Sequence, residues 1–303
     1  MARALVCFAC GSLLQAGCAG ISAFTHGDAD DLTDDAIANP AASGAVAGNL
    51  STGFAHDVRR AFPGQGWWCS EFEEWLSAER AEKGYTIVLP GVEGTSCRNI
   101  SIARGLVDAG HAAAIEVRDW TTGYWALWPY HLMGYARNQQ QARDIAGQIV
   151  EYQNRYPGRP VTLIGHSGGA AMAVLTLEAL PPDRSVTQVV LLAAAISPDH
   201  NLSTALARTE KQIINFHSWG DAGYLIAGTL ALGTIDRRHS ISAGASGFHV
   251  PRDLSEADLV LYETRLRQVP YRLEMLRSFN MGGHFSPTNR KFVAEWVVPQ
   301  LAE

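Results

Sequence analysis

Nowhere along this chain is there a run of lysine or arginine; 24 basic side chains face 30 acidic ones, and the formal net charge is −6. That balance excludes a groove that tracks phosphates and a polybasic patch for anionic lipid, so nucleic acid is not expected as a partner. Three chemical signatures are missing as well: G-x-x-x-x-G-K-[ST], H-E-x-x-H, and G-x-G-x-x-G after a strand. Nucleotide and zinc chemistry therefore have no support, and no cofactor or metal is expected. No internal repeat breaks the chain into equivalent units. The apolar stretch at the amino terminus is too short to span a bilayer. What remains, at 303 residues with 47% apolar side chains, is enough to bury one large core.

The amino terminus reads MARALVCFACGSLLQAGCAG, with Arg3 ahead of an apolar stretch and then small residues, the layout of an export signal. It resembles a bacterial lipoprotein signal, because Leu14-Gln15-Ala16-Gly17-Cys18 has the Ala-Gly-Cys end of the lipidation box, with Gln15 where that box prefers an apolar residue. The expectation is an exported protein, periplasmic or tethered to a membrane through lipidated Cys18; the alternative is an apolar start to a cytoplasmic chain. Removal of the signal leaves Cys18, Cys69 and Cys97. If Cys18 carries lipid, the other two are either a disulfide or two separate thiols. Residues 19–53 are rich in Ala, Gly, Ser and Asp without an apolar period, a linker composition. The expected organisation is a signal over 1–18, a linker over 19–53 and one folded domain over 54–303.

Within that domain β-rich and helix-like segments alternate. YTIVLP (85–90), AAAIEVRDW (112–120), VTLIG (161–165), TQVVLLAAAIS (187–197) and KQIINFHSWGD (211–221) read as strands; 99–110, about 137–156 and the residues after 167 read as helices. Such alternation implies an α/β fold, a mostly parallel sheet covered by helices on both faces, whose reactive groups gather at the carboxyl edge of the strands.

Ser167 stands at one such edge, in Gly165-His166-Ser167-Gly168-Gly169. The pattern G-x-S-x-G lets a strand reverse into a helix on small residues while one side chain is held strained and exposed. A serine hydroxyl is a poor nucleophile at neutral pH, so it needs a histidine to take its proton and a carboxylate to orient that histidine. Among 10 histidines, His284 is the best candidate: Gly282 and Gly283 allow a sharp turn, and Ser286-Pro287 reads as a helix N-cap with proline at the first position. His166 is expected to point to the other side. Asp221, at the end of INFHSWGD, is the preferred acid, with Asp199 and then Asp236 as alternatives; each also reads as an ordinary turn aspartate.

The elbow around Ser167, Asp221 after a later strand and Gly283-His284 near the end stand in the chain order of the α/β-hydrolase superfamily, which the chain resembles over roughly residues 80–300. The resemblance implies two backbone N–H donors for a developing oxyanion: Gly168, after the nucleophile, and Val92 in LPGVEGTS, with Glu93 second. It also implies a final strand before His284, for which no clean β run is visible, and an insertion or displaced segment within 222–280. YLIAGTLALG (224–233) reads as a lid or a core helix. The aromatic-rich DWTTGYWALWPYHLMGY (119–135) reads as a pocket lining or a packed covering loop.

The resemblance implies a serine hydrolase acting on a carboxylic ester through an acyl-enzyme, with a small-molecule or lipid-like ester as its partner. A serine nucleophile argues against haloalkane and epoxide chemistry. The same triad also serves lipids, thioesters and some peptides, and a non-catalytic exported binding module on the same fold is the rival from another class.

Overall fold

The computed structural model describes residues 71–221 and 233–301. The expected signal, linker, domain start at 54 and most of the 224–233 segment lie outside them, as does Cys69; Cys97 is exposed and unbridged.

Six strands form one sheet: β1 (Tyr85–Leu89), β2 (Ala114–Val117), β3 (Val161–His166), β4 (Gln188–Leu192), β5 (Ile213–His217) and β6 (Leu266–Pro270). Their spatial order is β2-β1-β3-β4-β5-β6, and every adjacent pair is parallel. The first five are nearly continuous apolar runs because both of their faces are covered. Alternate residues divide between two cores. Tyr85, Ile87, Leu89, Leu163, Val189 and Leu191 face one; Val88, Ile164, Val190, Leu192 and Ile214 face the other.

Helices α1 (Cys97–Asp108), α2 (Trp128–Met133), α3 (Tyr135–Arg155), α4 (Gly168–Ala179) and α5 (Glu256–Arg265) connect the strands. Ile145 and Ile149 of α3 and most of α4 fill the first core. Ile102 and Leu106 of α1 fill the second, together with Phe292, Val293 and Val297 near the carboxyl end. α4 is apolar all round, with ten of its residues buried, as expected of a helix enclosed on every side.

β6 lies within 222–280 and is the strand before His284 for which the sequence shows no clean β run. Its sequence, LRQVP, has no apolar run because it is an edge strand whose residues are half-buried or exposed. It nonetheless pairs in register with β5, from Ile213 against Leu266 to His217 against Pro270. The carboxyl-terminal helix also starts later than Ser286-Pro287 suggests. Ser286–Thr288 is a 3-10 turn, and Asn289 is the N-cap, its side-chain oxygen accepting from Lys291 N–H at 2.9 Å. The helix then runs from Arg290 through one π-helical stretch, Val293–Val297, to Leu301.

The chain passes from β1 outward to β2 and returns on the other side of β1 as β3, so the strand order reverses between β1 and β3. In an open parallel sheet the crevice outside the carboxyl ends at such a reversal is where ligands bind. The turn after β1 and the turn after β3 meet there.

Candidate active site

Ser167 has φ 55° and ψ −120°, a conformation a side-chain-bearing residue holds only when its surroundings enforce it. They do so with three backbone hydrogen bonds: Ser167 N–H donates to the Leu192 carbonyl, and the Ser167 carbonyl accepts from Ala170 and Ala195. The flanking glycines are needed for space. A Cβ on Gly165 would lie 2.4 Å from Ala170 Cα, and one on Gly169 would lie 2.1 Å from the Leu89 carbonyl oxygen. Gly169 therefore lets the elbow touch the end of β1.

His284 Nε2 lies 3.0 Å from Ser167 Oγ, and His284 Nδ1 lies 2.8 Å from Asp221 Oδ1. A carboxylate can only accept, so Nδ1 carries the proton and Nε2 is left to accept from the serine hydroxyl. All three side chains are buried. Asp221 sits in a 3-10 turn four residues beyond β5. The loop bearing His284 packs on that turn so closely that a Cβ on Gly220 would lie 2.7 Å from the Gly282 carbonyl oxygen. Gly282 itself has φ +78°.

The other two aspartates are engaged elsewhere. Asp199 pairs with His249 at 2.8 Å on the exposed surface. Asp236 binds His200 Nδ1 at 3.2 Å and accepts from the Ser197 N–H.

His166 has a place in the site that its sequence context did not reveal. Its Nε2–H donates to the His284 backbone carbonyl at 3.0 Å, and its ring lies 5.0 Å from the His284 ring. Burial, and then the neighbouring His284, push its pKa down to about 3, so it is a neutral strut. Phe285 stacks edge-on against His284 at 4.9 Å and carries the Arg98 guanidinium 3.9 Å above its own ring. The only sequence hint was that His166 fills the free position of the elbow motif.

The turn Gly91 to Gly94 after β1 lies beside the elbow: a Cβ on Gly168 would be 2.7 Å from Val92 Cγ1. Neither the Val92 N–H nor the Gly168 N–H has an acceptor among the described residues. Burial raises the pKa of the neighbouring Glu93 carboxyl, against the opposing effects of its own backbone and of nearby His284 and Arg98.

In the 119–135 segment Trp120 is fully buried, whereas Tyr124, Trp125, Trp128, Tyr130 and Tyr135 are exposed.

A family model described as serine aminopeptidase, S33 (Hydrolase_4), matches residues 129–222, which contain the elbow and Asp221. That match covers less than a third of the chain. With its parallel sheet flanked by helices, the chain has an architecture consistent with the α/β-hydrolase fold. No protein of curated function matches the chain. Among solved structures it is similar to Est1E from Butyrivibrio proteoclasticus, at 11% identity over 73% of this chain and 89% of that one, with a TM-score of 0.38. It is also similar to a dienelactone hydrolase-like promiscuous phosphotriesterase from metagenomic libraries, at 14% identity over 62% of this chain and 69% of that one, TM-score 0.35. The matched family model and the fold support a serine hydrolase.

Proposed function

We propose that this protein is an α/β-hydrolase that cleaves a carboxylic ester, from a small-molecule or lipid-like substrate, through a covalent acyl-enzyme on Ser167. The observation that carries the reading is the hydrogen-bonded line from Ser167 Oγ through the His284 imidazole to Asp221, with the serine held at positive φ.

In this reading Ser167 Oγ attacks the ester carbonyl carbon while its proton passes to His284 Nε2. The carbonyl oxygen becomes an oxyanion and is held by the N–H groups of Val92 and Gly168, each worth about 10² to 10³ in rate for such donors. His284 then gives its proton to the departing alkoxide. Water, deprotonated by the same nitrogen, releases the acid and regenerates the serine. Asp221 keeps the imidazole in its tautomer and stabilises the imidazolium formed in each step. None of these steps calls on a metal or cofactor.

The name of the matched family model brings peptides in as a second acyl class, since the same geometry can attack an amide. The test is turnover of a panel of p-nitrophenyl esters of increasing chain length beside aminoacyl p-nitroanilides, with wild type and Ser167→Ala. Ester turnover lost in Ser167→Ala supports the reading; anilide turnover above ester turnover replaces the substrate class; ester turnover retained in Ser167→Ala sinks the mechanism.

We also propose, on the Arg3, apolar and Ala16-Gly17-Cys18 pattern, that the protein is exported and tethered to a membrane through Cys18.

A further inference from the structure

The turn that supplies Val92 consists of three successive peptide groups, and each has its carbonyl tied. The Pro90 carbonyl accepts from Trp120 Nε1–H at 2.7 Å. The Gly91 carbonyl accepts from Gly94 N–H at 3.0 Å, closing the turn. The Val92 carbonyl pairs with His131 Nδ1 at 2.7 Å. In a trans peptide the N–H points opposite the preceding carbonyl. The Gly91 carbonyl points into the turn, so the Val92 N–H points out of it. The side-chain bonds to Pro90 and Val92 fix the peptides on either side.

His131 is itself held in one tautomer. Thr122 N–H donates to its Nε2 at 3.2 Å, with Thr122 Oγ1 at 2.9 Å. Nε2 is therefore an acceptor, and the proton sits on Nδ1, facing the Val92 carbonyl. Burial, offset in part by the bond to Val92, lowers the pKa of this ring and keeps it neutral. The ring is fully buried against Trp120, edge to face at 6.2 Å, and its backbone carbonyl accepts from Asn138 Nδ2–H at 2.8 Å. Val92 is part of the first core's margin and has no strand partner of its own, so these side chains determine its orientation.

We propose that His131 is a positioning residue for oxyanion stabilisation: its Nδ1–H holds the Val92 carbonyl and thereby keeps the Val92 N–H beside that of Gly168. The inference rests on acyl transfer at Ser167. It gives the aromatic-rich 119–135 segment a role neither in packing alone nor in lining a pocket, because two of its side chains, Trp120 and His131, set the conformation of the turn after β1. A donor that meets charge only in the transition state acts on kcat rather than on substrate binding.

The test compares His131→Asn, whose amide can place a donor near the Nδ1 position, with His131→Gln, whose longer side chain places its amide nearer the Nε2 position. The substrate is whichever p-nitrophenyl ester wild type turns over best, and the second readout is inhibition by an aryl boronic acid, which adds to the serine as a tetrahedral anion. His131→Gln is expected to lose about 10- to 10²-fold in kcat, with KM within about twofold and boronate affinity weakened in parallel. His131→Asn is expected to recover most of that loss. Equal activity in the two variants, a change confined to KM, or boronate affinity unchanged in His131→Gln overturns the proposal. If either variant fails to fold by circular dichroism, His131→Phe, which keeps a ring in the cavity but no donor, must show the same kcat loss, and wild-type kcat there overturns the proposal. Ser167→Ala separates the two readings: if it retains turnover, acyl transfer at Ser167 itself is wrong, whereas an inactive Ser167→Ala beside an active His131→Gln removes only the role of His131.

Discussion

Raising the pH from 7.5 to 9.5 should weaken the fold through one imidazole, His200. Its two ring nitrogens meet two carboxylates, Glu178 Oε1 at 2.7 Å and Asp236 Oδ2 at 3.2 Å, and the side chain is mostly buried. Burial opposes the charged form, but the hydrogen bonds to Asp236 and Glu178 outweigh it and lift the pKa to about 9. Unfolded, the same group titrates near 6.5. A folded pKa above the unfolded one stabilises fully below about 6.5, and that contribution is lost as pH rises through about 9. Linkage gives about 2 kcal/mol of stabilisation at pH 7.5 and about 0.2 kcal/mol at pH 9.5 for these two values. His111 and His166 have pKa values lowered by burial, to about 4 and about 3. Their contribution has the opposite sign, rises through the acid range and is nearly complete by pH 7.5; Tyr85, Tyr152 and Tyr262, whose pKa values burial raises, add to the alkaline loss equally in wild type and variant, so the comparison with His200→Gln singles out His200. The cluster ties Glu178 in α4, the helix that begins at the elbow, to the loop after β4 and to Asp236. Its loss is thus a loss of support for the carboxyl edge. The assay is urea denaturation at both pH values for wild type and His200→Gln. Wild type should lose about 2 kcal/mol more than the variant between them; equal pH dependence in the two proteins would refute the argument.

Asp221→Asn should lower kcat by about 10² to 10⁴ while leaving substrate binding nearly unchanged, because the amide no longer favours the tautomer that His284 needs. Asp199→Asn and Asp236→Asn should change turnover far less, since Asp199 faces His249 on the surface and Asp236 faces His200; a large loss in either with Asp221→Asn near wild type would displace the acid. For the amino terminus, palmitate labelling of cells should mark the wild-type protein and be abolished in Cys18→Ser, whereas an intact Met1 on the mature protein would rule out a cleaved signal.

Much of the fold was legible because its central strands are buried on both faces. VTLIG and TQVVLL announce themselves as apolar runs, and they became β3 and β4. β6 was hidden for the same physical reason in reverse: an edge strand with half-exposed residues needs no apolar run, and only its register against β5 marks it. The residues proposed for the chemistry could be picked out because nucleophile, acid and base follow strands in a fixed order, with small residues where the backbone must turn. The structure places His284 within hydrogen-bonding distance of both Ser167 and Asp221. The supporting residues could not be found that way. His166 and His131 act on backbone carbonyls 118 and 39 positions away, and no local pattern specifies such a contact. Asn289 replaced Ser286 as the helix cap because a proline-containing 3-10 turn intervenes, an outcome that a capping rule applied to Ser-Pro alone does not distinguish.

The central claim is that Ser167 is a nucleophile activated by His284. A fluorophosphonate probe reacts covalently only with an activated serine, so the most direct measurement is labelling of the folded wild-type protein followed by peptide mass mapping of the adduct. The account predicts one adduct, on Ser167, absent from Ser167→Ala and strongly slowed in His284→Ala. An unlabelled but folded wild-type protein, or an adduct on another serine, would contradict it.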